Sequence, residues 1–361
     1  MRPRRCGTSQ RRPLLVVGDR RCHGRPVPAS PPGRQQRSTS RTPPDPSVAV
    51  VSGGVGAARF LRGLLAVVPP ERIAAIVNTG DDTVLHGLSI SPDLDTITYT
   101  LADAIDPDRG WGLAGETWHA MEALARYEPV RPAGSDAATT WFGLGDRDLA
   151  THLYRTARRA EGATSTEIAD EVRRAWGLAI RLLPMTDDPL ATIVELATGE
   201  DVSFQDYFVR LRHGVPVRGV HFAGDAVATS AAIAALTAAD VVVIAPSNPV
   251  VSIGPVRSLP GIDELLGSRR STVVAVSPIV GGVALKGPAD RMLVELGHEP
   301  SVVGVARLYA PVAGALVIDT VDADLAPQIE AAGMRAVVAP SIMSTPQIAA
   351  ELARTTLAAA G

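Results

Sequence analysis

The sequence predicts an α/β fold, a Rossmann-like and mostly parallel sheet covered by helices, with a helical insertion. Three observations carry this. "SVAVV", "RIAAIV", "DVVVIA", "STVVAV", "GALVID" and "RAVVA" are β-branched runs of strand length, and such continuous apolar runs fit strands buried on both faces. Several end in Gly, Ser, Pro, Asn or Asp and then enter helix-like stretches, the alternation expected of strands joined by crossover helices. Between Asp146 and Leu178 the pattern turns to helix alone, with "DRDLATHLYRTARRA" followed by "TSTEIADEVRRAWG". Thr164 and Glu167 there have the spacing of a capping box. The insertion, at about 146–180, is read as a lid or wall over the sheet. Ligands of such sheets bind outside the carboxyl ends of the strands.

Composition sets the outer bounds. The chain has 361 residues, 46% of them hydrophobic, and a formal net charge of −3. Nothing global argues for nucleic acid or an anionic membrane surface as a partner. No apolar run reaches the ~20 residues of a membrane helix, so a cytoplasmic protein is expected. Both cysteines, Cys6 and Cys22, fall in residues 1–46, which leaves the rest without disulfide, thiolate zinc site or cysteine nucleophile. That first segment carries 11 Arg against two Asp, with many Pro, Ser and Gln, and cannot bury enough apolar surface to fold. "SQRRPLLVVG" has the look of a twin-arginine export signal, but its apolar run stops at Val17 and meets Arg20 and Arg21, too short for such a signal. Residues 1–46 are therefore expected to be a disordered tail or an over-extended start, and 47–361 the folded domain.

Four motifs stand where strands end. In "VAVVSGGVGAARFLRG" a strand stops at Ser52, glycines turn, and a helix begins near Ala57. Backbone N–H groups and a helix N-terminus at such a turn suit a phosphate. Gly54 and Gly56 mark the turn, and Arg59 stands where a dinucleotide fingerprint wants a small residue; Arg59 is read as an anion ligand. A plain strand-to-helix turn is the alternative.

The second motif is "NTGDDTVLHGLSISPDLDT". From Ile73 to Asp108 there are seven aspartates and no Lys or Arg. Short carboxylates without cations suit Mg²⁺ held jointly by protein and substrate phosphates. Asp81, Asp82 and Asp95 are the expected metal ligands. Asp93, two residues from Asp95, points the same way if the segment is extended; with Asn78 and His86 it is taken as substrate-binding. An Asx turn at Asp81 and an N-cap at Asp95 are the bland alternatives.

In "DVVVIAPSNPVVSIGP", Ser247 and Asn248 lie just past a buried strand, held between prolines, with Ser252 close behind; such groups recognise a base edge, ribose or phosphate, or simply make a turn. In "VVAVSPIVGGVALKGPADRML", Gly281 and Gly282 precede Lys286, the only lysine among 35 Lys and Arg residues. A compact ammonium retained there points to a phosphate.

Taken together, "SGGVGAARFLRGL", "NTGDDTVLHGLSISPDLDTITYTL", "RGWG", "GETWHAM", "LGDRDLATHLYRT", "LLPMTDDP", "FQDYFVR", "APSNPVVSIGP" and "SPIVGGVALKGPA" resemble the 2-phospho-L-lactate transferase family, and its actinobacterial phosphoenolpyruvate transferases most. The resemblance runs in order from about Ser47 to the C-terminus; "EPVRPAGSDAATTWFG" looks variable. It implies transfer from GDP whose terminal phosphate carries phospholactate or phosphoenolpyruvate. The acceptor is the ribityl 5′-hydroxyl of the deazaflavin Fo, in coenzyme F-420 biosynthesis, with GMP released. It also implies Mg²⁺ and a homodimer. The family's Fo-contacting aspartate falls on Asp95, and its nucleotide pocket is expected around Gly54, Gly56, Ser247, Asn248 and Gly281; Asp146 and Arg147 of the "LGDRD" block join the substrate-binding set. Asp95, with Asp82 second, is the expected proton acceptor, since an attacking hydroxyl needs one. Aliphatic walls with Trp111 or Trp141 are expected against the flat ring. A non-catalytic nucleotide-sugar-binding regulator of the same superfamily is the alternative. A nicotinamide-dependent oxidoreductase is disfavoured by Arg59 and by the lack of an acidic residue closing a strand ~20 residues past the glycines.

Overall fold

Apolar runs with no polar face must be covered on both sides, and the six predicted runs become neighbours in one parallel sheet. The computed structural model describes residues 45–135 and 137–361; the tail expected over 1–46 lies almost wholly outside them. The strands are β1 (Val48–Ser52), β2 (Ile73–Val77), β3 (Arg181–Pro184), β4 (Val241–Ile244), β5 (Val273–Val276), β6 (Ala315–Ile318) and β7 (Arg335–Val338), in spatial order β7-β6-β5-β4-β1-β2-β3. Every residue of β1, β2, β4, β5 and β6 is buried. Side chains alternate between two cores: Val51, Ile76 and Ile244 on one face, Val50, Val77 and Val243 on the other. This is the doubly wound α/β architecture.

The edge strand β3 was not foreseen. "RLLP" is four residues long, lacks a β-branched side chain and ends in Pro184. Proline is tolerated there because an edge strand has a side on which no ladder bond is needed. A second unforeseen element is a three-stranded antiparallel sheet formed by Ala191–Leu196 between Asp201–Ser203 and Val217–Ala223. A π-helical turn, Asp206–Arg210, follows the edge strand Asp201–Ser203.

Four helices position the site: α1 (Gly54–Leu64), α2 (Pro92–Leu101), α3 (Asp148–Ala160) and α4 (Ser165–Ala175). The α4 capping box is present, with Thr164 Oγ1 accepting from the Glu167 N–H at 3.2 Å and Glu167 Oε2 accepting from the Thr164 N–H at 2.8 Å. Helix α3 buries Asp148, His152 and Arg155 rather than an apolar stripe. Asp and Arg are rarely buried unless paired, so this face has work other than core packing. No helix among the described residues is long and apolar enough to cross a membrane.

Candidate functional site

Strand β1 continues to β2 on one side, whereas β4 continues to β5 on the other, so a crevice opens beyond their carboxyl ends. The β1–α1 turn and the loop after β4 meet there at backbone distance. A Cβ at Gly56 would stand 1.9 Å from the Pro246 carbonyl oxygen, so close packing alone requires glycine at that position. Gly54 has φ +67°, a conformation that glycine adopts without strain. Ser247 Oγ donates to the Gly53 carbonyl at 2.7 Å, and Asn248 Oδ1 accepts from the Val250 N–H at 2.9 Å. Both side chains brace the crevice while lining it.

A cavity of about 790 Å³ fills this crevice, and Gly54, Gly56, Arg59, Asp81, Asp93, Asp95, Ser247, Asn248, Ser252 and Lys286 all line it. Trp111 and Trp141 line it too. Trp111 packs edge-on against Trp118, and the Arg109 guanidinium lies over both rings. A Cβ at Gly110 would fall 2.6 Å from Lys286 Nζ, so the exposed Lys286 lies against the Gly110 loop, another lining residue.

The acidic stretch divides into two pairs. Asn78, buried at the end of β2, donates from Nδ2 to Asp81 Oδ1 at 3.2 Å and to Asp93 Oδ2 at 2.9 Å. Its own Oδ1 accepts from the Gly80 N–H at 2.8 Å. Gln205, just past the Asp201–Ser203 strand of the antiparallel sheet, donates to Asp81 Oδ2 at 3.2 Å. Among the described residues, neither Asp81 nor Asp93 makes an ion pair. Burial first, then the charges of Asp93 and Asp82, raise the Asp81 pKa well above the usual carboxylate range. Burial raises that of Asp93 to about 6, with the Asn78 amide and the Gly54 N–H pulling it down.

The other two carboxylates meet arginines of α3. Arg155 donates from both Nη atoms to the two oxygens of Asp95, one contact at 3.1 Å. Asp82 accepts from Ser91 Oγ at 2.7 Å, with Arg159 at 3.8 Å, and does not line the cavity. Burial raises its pKa to about 7 against the opposing effects of Ser91, Arg155 and Arg159. The stretch is free of cations in sequence but not in space.

The remaining predicted residues lie outside the cavity lining. His86 is exposed at a hairpin tip, where it and Gly87 have φ +54° and +77°, the backbone of a type I′ turn. Asp146 accepts from the backbone N–H groups of His119 and Ala120 and caps the helix His119–Leu124. Arg147 donates to the Ala114 carbonyl. Gly281 donates its N–H to the buried Asp322 carboxylate at 3.0 Å. Sequence reading missed Tyr99, Asp148, His152, Arg155 and Gln205, which surround the carboxylates. It also missed Glu116, which accepts from the N–H groups of Arg147 and Asp148 and fixes the start of α3. The quoted blocks "LGDRDLATHLYRT", "GETWHAM" and "FQDYFVR" contained five of these six, so a signal existed without a role attached.

The donor set discriminates among metal assignments. No group of three or more His, Cys, Asp or Glu residues is placed to hold a metal among the described residues. Mg²⁺, however, is commonly held by one or two carboxylates together with substrate phosphates. Asp81 and Asp93, unpaired and facing one cavity, fit that requirement. Asp95, gripped by Arg155, and Asp82, turned away from the cavity, do not. A phosphate at the Gly54 turn would also meet the Asp93 charge unless a cation stood between them.

Unpaired carboxylates beside a glycine turn are intelligible around a phosphate and a cation, which sets the protein among α/β enzymes that handle phosphorylated ligands. The family described as 2-phospho-L-lactate transferase CofD matches residues 48–342. The phosphoenolpyruvate transferase of Kitasatospora aureofaciens is 40% identical over 320 residues, covering 87% of this chain and 97% of that protein. The phosphoenolpyruvate transferase of Streptomyces griseus subsp. griseus is 42% identical over 318 residues, covering 86% and 97%. A crystal structure of protein BH3568 from Bacillus halodurans shares the fold at a TM-score of 0.57 and 17% identity, covering 87% of this chain and 99% of that one. The chain belongs to the 2-phospho-L-lactate transferase family. It is a phosphotransferase with a role in coenzyme F-420 biosynthesis.

Proposed function

We propose that the protein transfers a phosphoenolpyruvyl or 2-phospholactyl group from its GDP-activated donor to the ribityl 5′-hydroxyl of Fo. The acceptor oxygen bonds to the phosphorus bearing the three-carbon acid as the bond from that phosphorus to the bridging oxygen breaks. GMP leaves with the electron pair, and the product is F-420-0 or its dehydro form. The names of the similar proteins favour phosphoenolpyruvate as the transferred acid.

One observation supports this reading above others: an unpaired carboxylate pair and an arginine-anchored carboxylate face one cavity beside a glycine turn. Asp81 and Asp93 would hold Mg²⁺, which when bound neutralises diphosphate charge and stabilises the leaving group. The Gly54 turn and the N-terminus of α1 receive phosphate oxygens, with Arg59 and Lys286 adding positive charge. Asp95 accepts a hydrogen bond from the acceptor hydroxyl, aligns it for attack and takes its proton. Trp111 and Trp141 offer faces to the deazaflavin ring. Mass spectrometry of the product made from Fo with each GDP-activated donor tests the proposal. A deazaflavin phosphodiester and GMP are expected, and absence of both with either donor would overturn it. Light scattering of the purified protein reads the homodimer implied by the resemblance.

A further inference from the structure

The buried face of α3 carries a chain of polar groups ending on Asp95. Tyr99 donates its hydroxyl to Asp148 Oδ1 and lies 2.9 Å from Thr151 Oγ1. Burial, with the charges of Asp95 and Asp148, pushes the Tyr99 pKa up, so the phenol remains a donor. His152, only 1% exposed, has Nε2 3.3 Å from Asp148 Oδ2, although the angle is too poor for a hydrogen bond. Its Nδ1 lies 3.2 Å from Arg155 Nη1. A guanidinium only donates, so this contact makes Nδ1 the acceptor and leaves the imidazole proton on Nε2, facing Asp148. Arg155 Nη1 also reaches the Ser89 carbonyl at 3.2 Å, and its two Nη atoms fork onto Asp95.

Direction along this chain is set by chemistry. Asp148 faces the Nε2 side of His152, His152 and Ser89 fix the rotation of the guanidinium, and the guanidinium fixes both oxygens of Asp95. A buried ion pair is weak support for stability, because desolvation offsets the Coulomb gain. The geometry it enforces is the more informative property. Arg155, Asp95 and His152 are all nine-tenths or more buried, and Asp95 and His152 line the cavity. Apolar residues of similar volume would fill the same space without aiming a carboxylate.

We infer that Arg155, held by His152, is the positioning residue that aims Asp95 at the acceptor hydroxyl. The inference rests on the proposed transfer to Fo. Arg155→Lys keeps the charge and loses the fork, so kcat should fall about 10²-fold, the scale of a small misplacement, with donor KM unmoved. In Arg155→Ala, millimolar guanidinium should restore part of the lost kcat where equal sodium chloride does not, a rescue that a merely structural arginine does not give. A folded Arg155→Lys enzyme with wild-type kcat overturns the inference. Should both arginine variants fail to fold, the His152 variants decide. His152→Leu removes one of the three groups that hold Nη1, leaving Ser89 and Asp95, while His152→Asn supplies an acceptor near the Nδ1 position, so the Leu variant should lose more kcat; equal losses overturn the inference. Side-chain NMR of isotope-labelled arginine separates this failure from failure of the proposed transfer. The Arg155 Nη signals should be resolved in the wild-type protein and averaged in His152→Leu. Averaged signals in the wild type overturn the inference whether or not Fo is turned over.

Discussion

Asp81 and Asp93 differ from Asp82 and Asp95 in what faces them, although all four lie in one short cation-free stretch. The first two meet amides: Asn78 touches both and Gln205 touches Asp81. The second two meet arginines of α3, Arg155 on Asp95 and Arg159 near Asp82. An amide orients a carboxylate without cancelling its charge, whereas an arginine does both. The first pair is thereby left to attract a cation; Asp95 is already neutralised by its fork, and Asp82, although burial raises its pKa to about 7, does not line the cavity. Neighbouring residues of one type thus acquire different chemistry from elements far away in the chain.

The largest expected effect tests the unpaired set. Chelation of divalent metal should bring turnover to background, and added Mg²⁺ should restore it. Asp93→Asn should lose about 10³-fold in kcat, since a metal ion's charge stabilisation is worth several kcal/mol. Full turnover in excess chelator would remove the distinction between the pairs.

Asp95→Asn breaks the arginine-facing set instead. If Asp95 aligns the hydroxyl and takes its proton, kcat should fall roughly 10²-fold or more. The substitution also leaves the Arg155 guanidinium buried without its counter-charge, a change that costs about 3–5 kcal/mol in comparable sites. Urea denaturation reads that loss. The N-cap of α2 is Ser91, not Asp95, so capping does not account for Asp95; a folded Asp95→Asn enzyme that is less stable yet turns over at the wild-type rate would leave Asp95 a structural partner of Arg155 only.

Lys286 gives a smaller effect. At the exposed mouth, Lys286→Ala should raise the donor KM by about tenfold, the lower end for a charge-assisted contact, and leave the Fo KM unmoved. An unchanged donor KM would return Lys286 to the solvated surface.

The smallest effect is on the pH dependence of stability. The folded pKa of Asp93 is raised, to about 6, above the ~3.9 of an unfolded aspartate. The folded state therefore binds the proton more tightly, and this stabilisation is fully present below the unfolded pKa and lost as pH rises through about 6. Asp81 shifts in the same direction. Melting temperature of the metal-free protein should fall as pH rises from about 4 to 7, and Asp93→Asn should flatten that slope. A slope unchanged in the variant would place its origin elsewhere.

The same contrast shows what the sequence could reveal. Strands β1, β2, β4, β5, β6 and β7 were legible because burial on both faces demands continuous β-branched runs, and α4 announced its start through Thr164 and Glu167. Strand β3 was not, because "RLLP" carries no such signal. At the site, the strand-end motifs located the crevice, but counter-ions were invisible. Arg155 lies 60 residues beyond Asp95, and its arginine-rich helix reads as an ordinary solvated face until packing turns one side inward. His86, Asp146 and Gly281 show the opposite limit. Their residue types suit ligand binding, yet His86 serves a local turn, Asp146 caps a helix 26 residues earlier in the chain, and Gly281 donates to Asp322 41 residues further on.

The most direct test of the division between the two pairs is a calorimetric titration of Mn²⁺, a stand-in for Mg²⁺, into the protein saturated with GDP. The wild type and Asp82→Asn should bind the ion with similar affinity, and Asp93→Asn should not bind it. Binding retained in Asp93→Asn and lost in Asp82→Asn would contradict the assignment of the cation to Asp81 and Asp93.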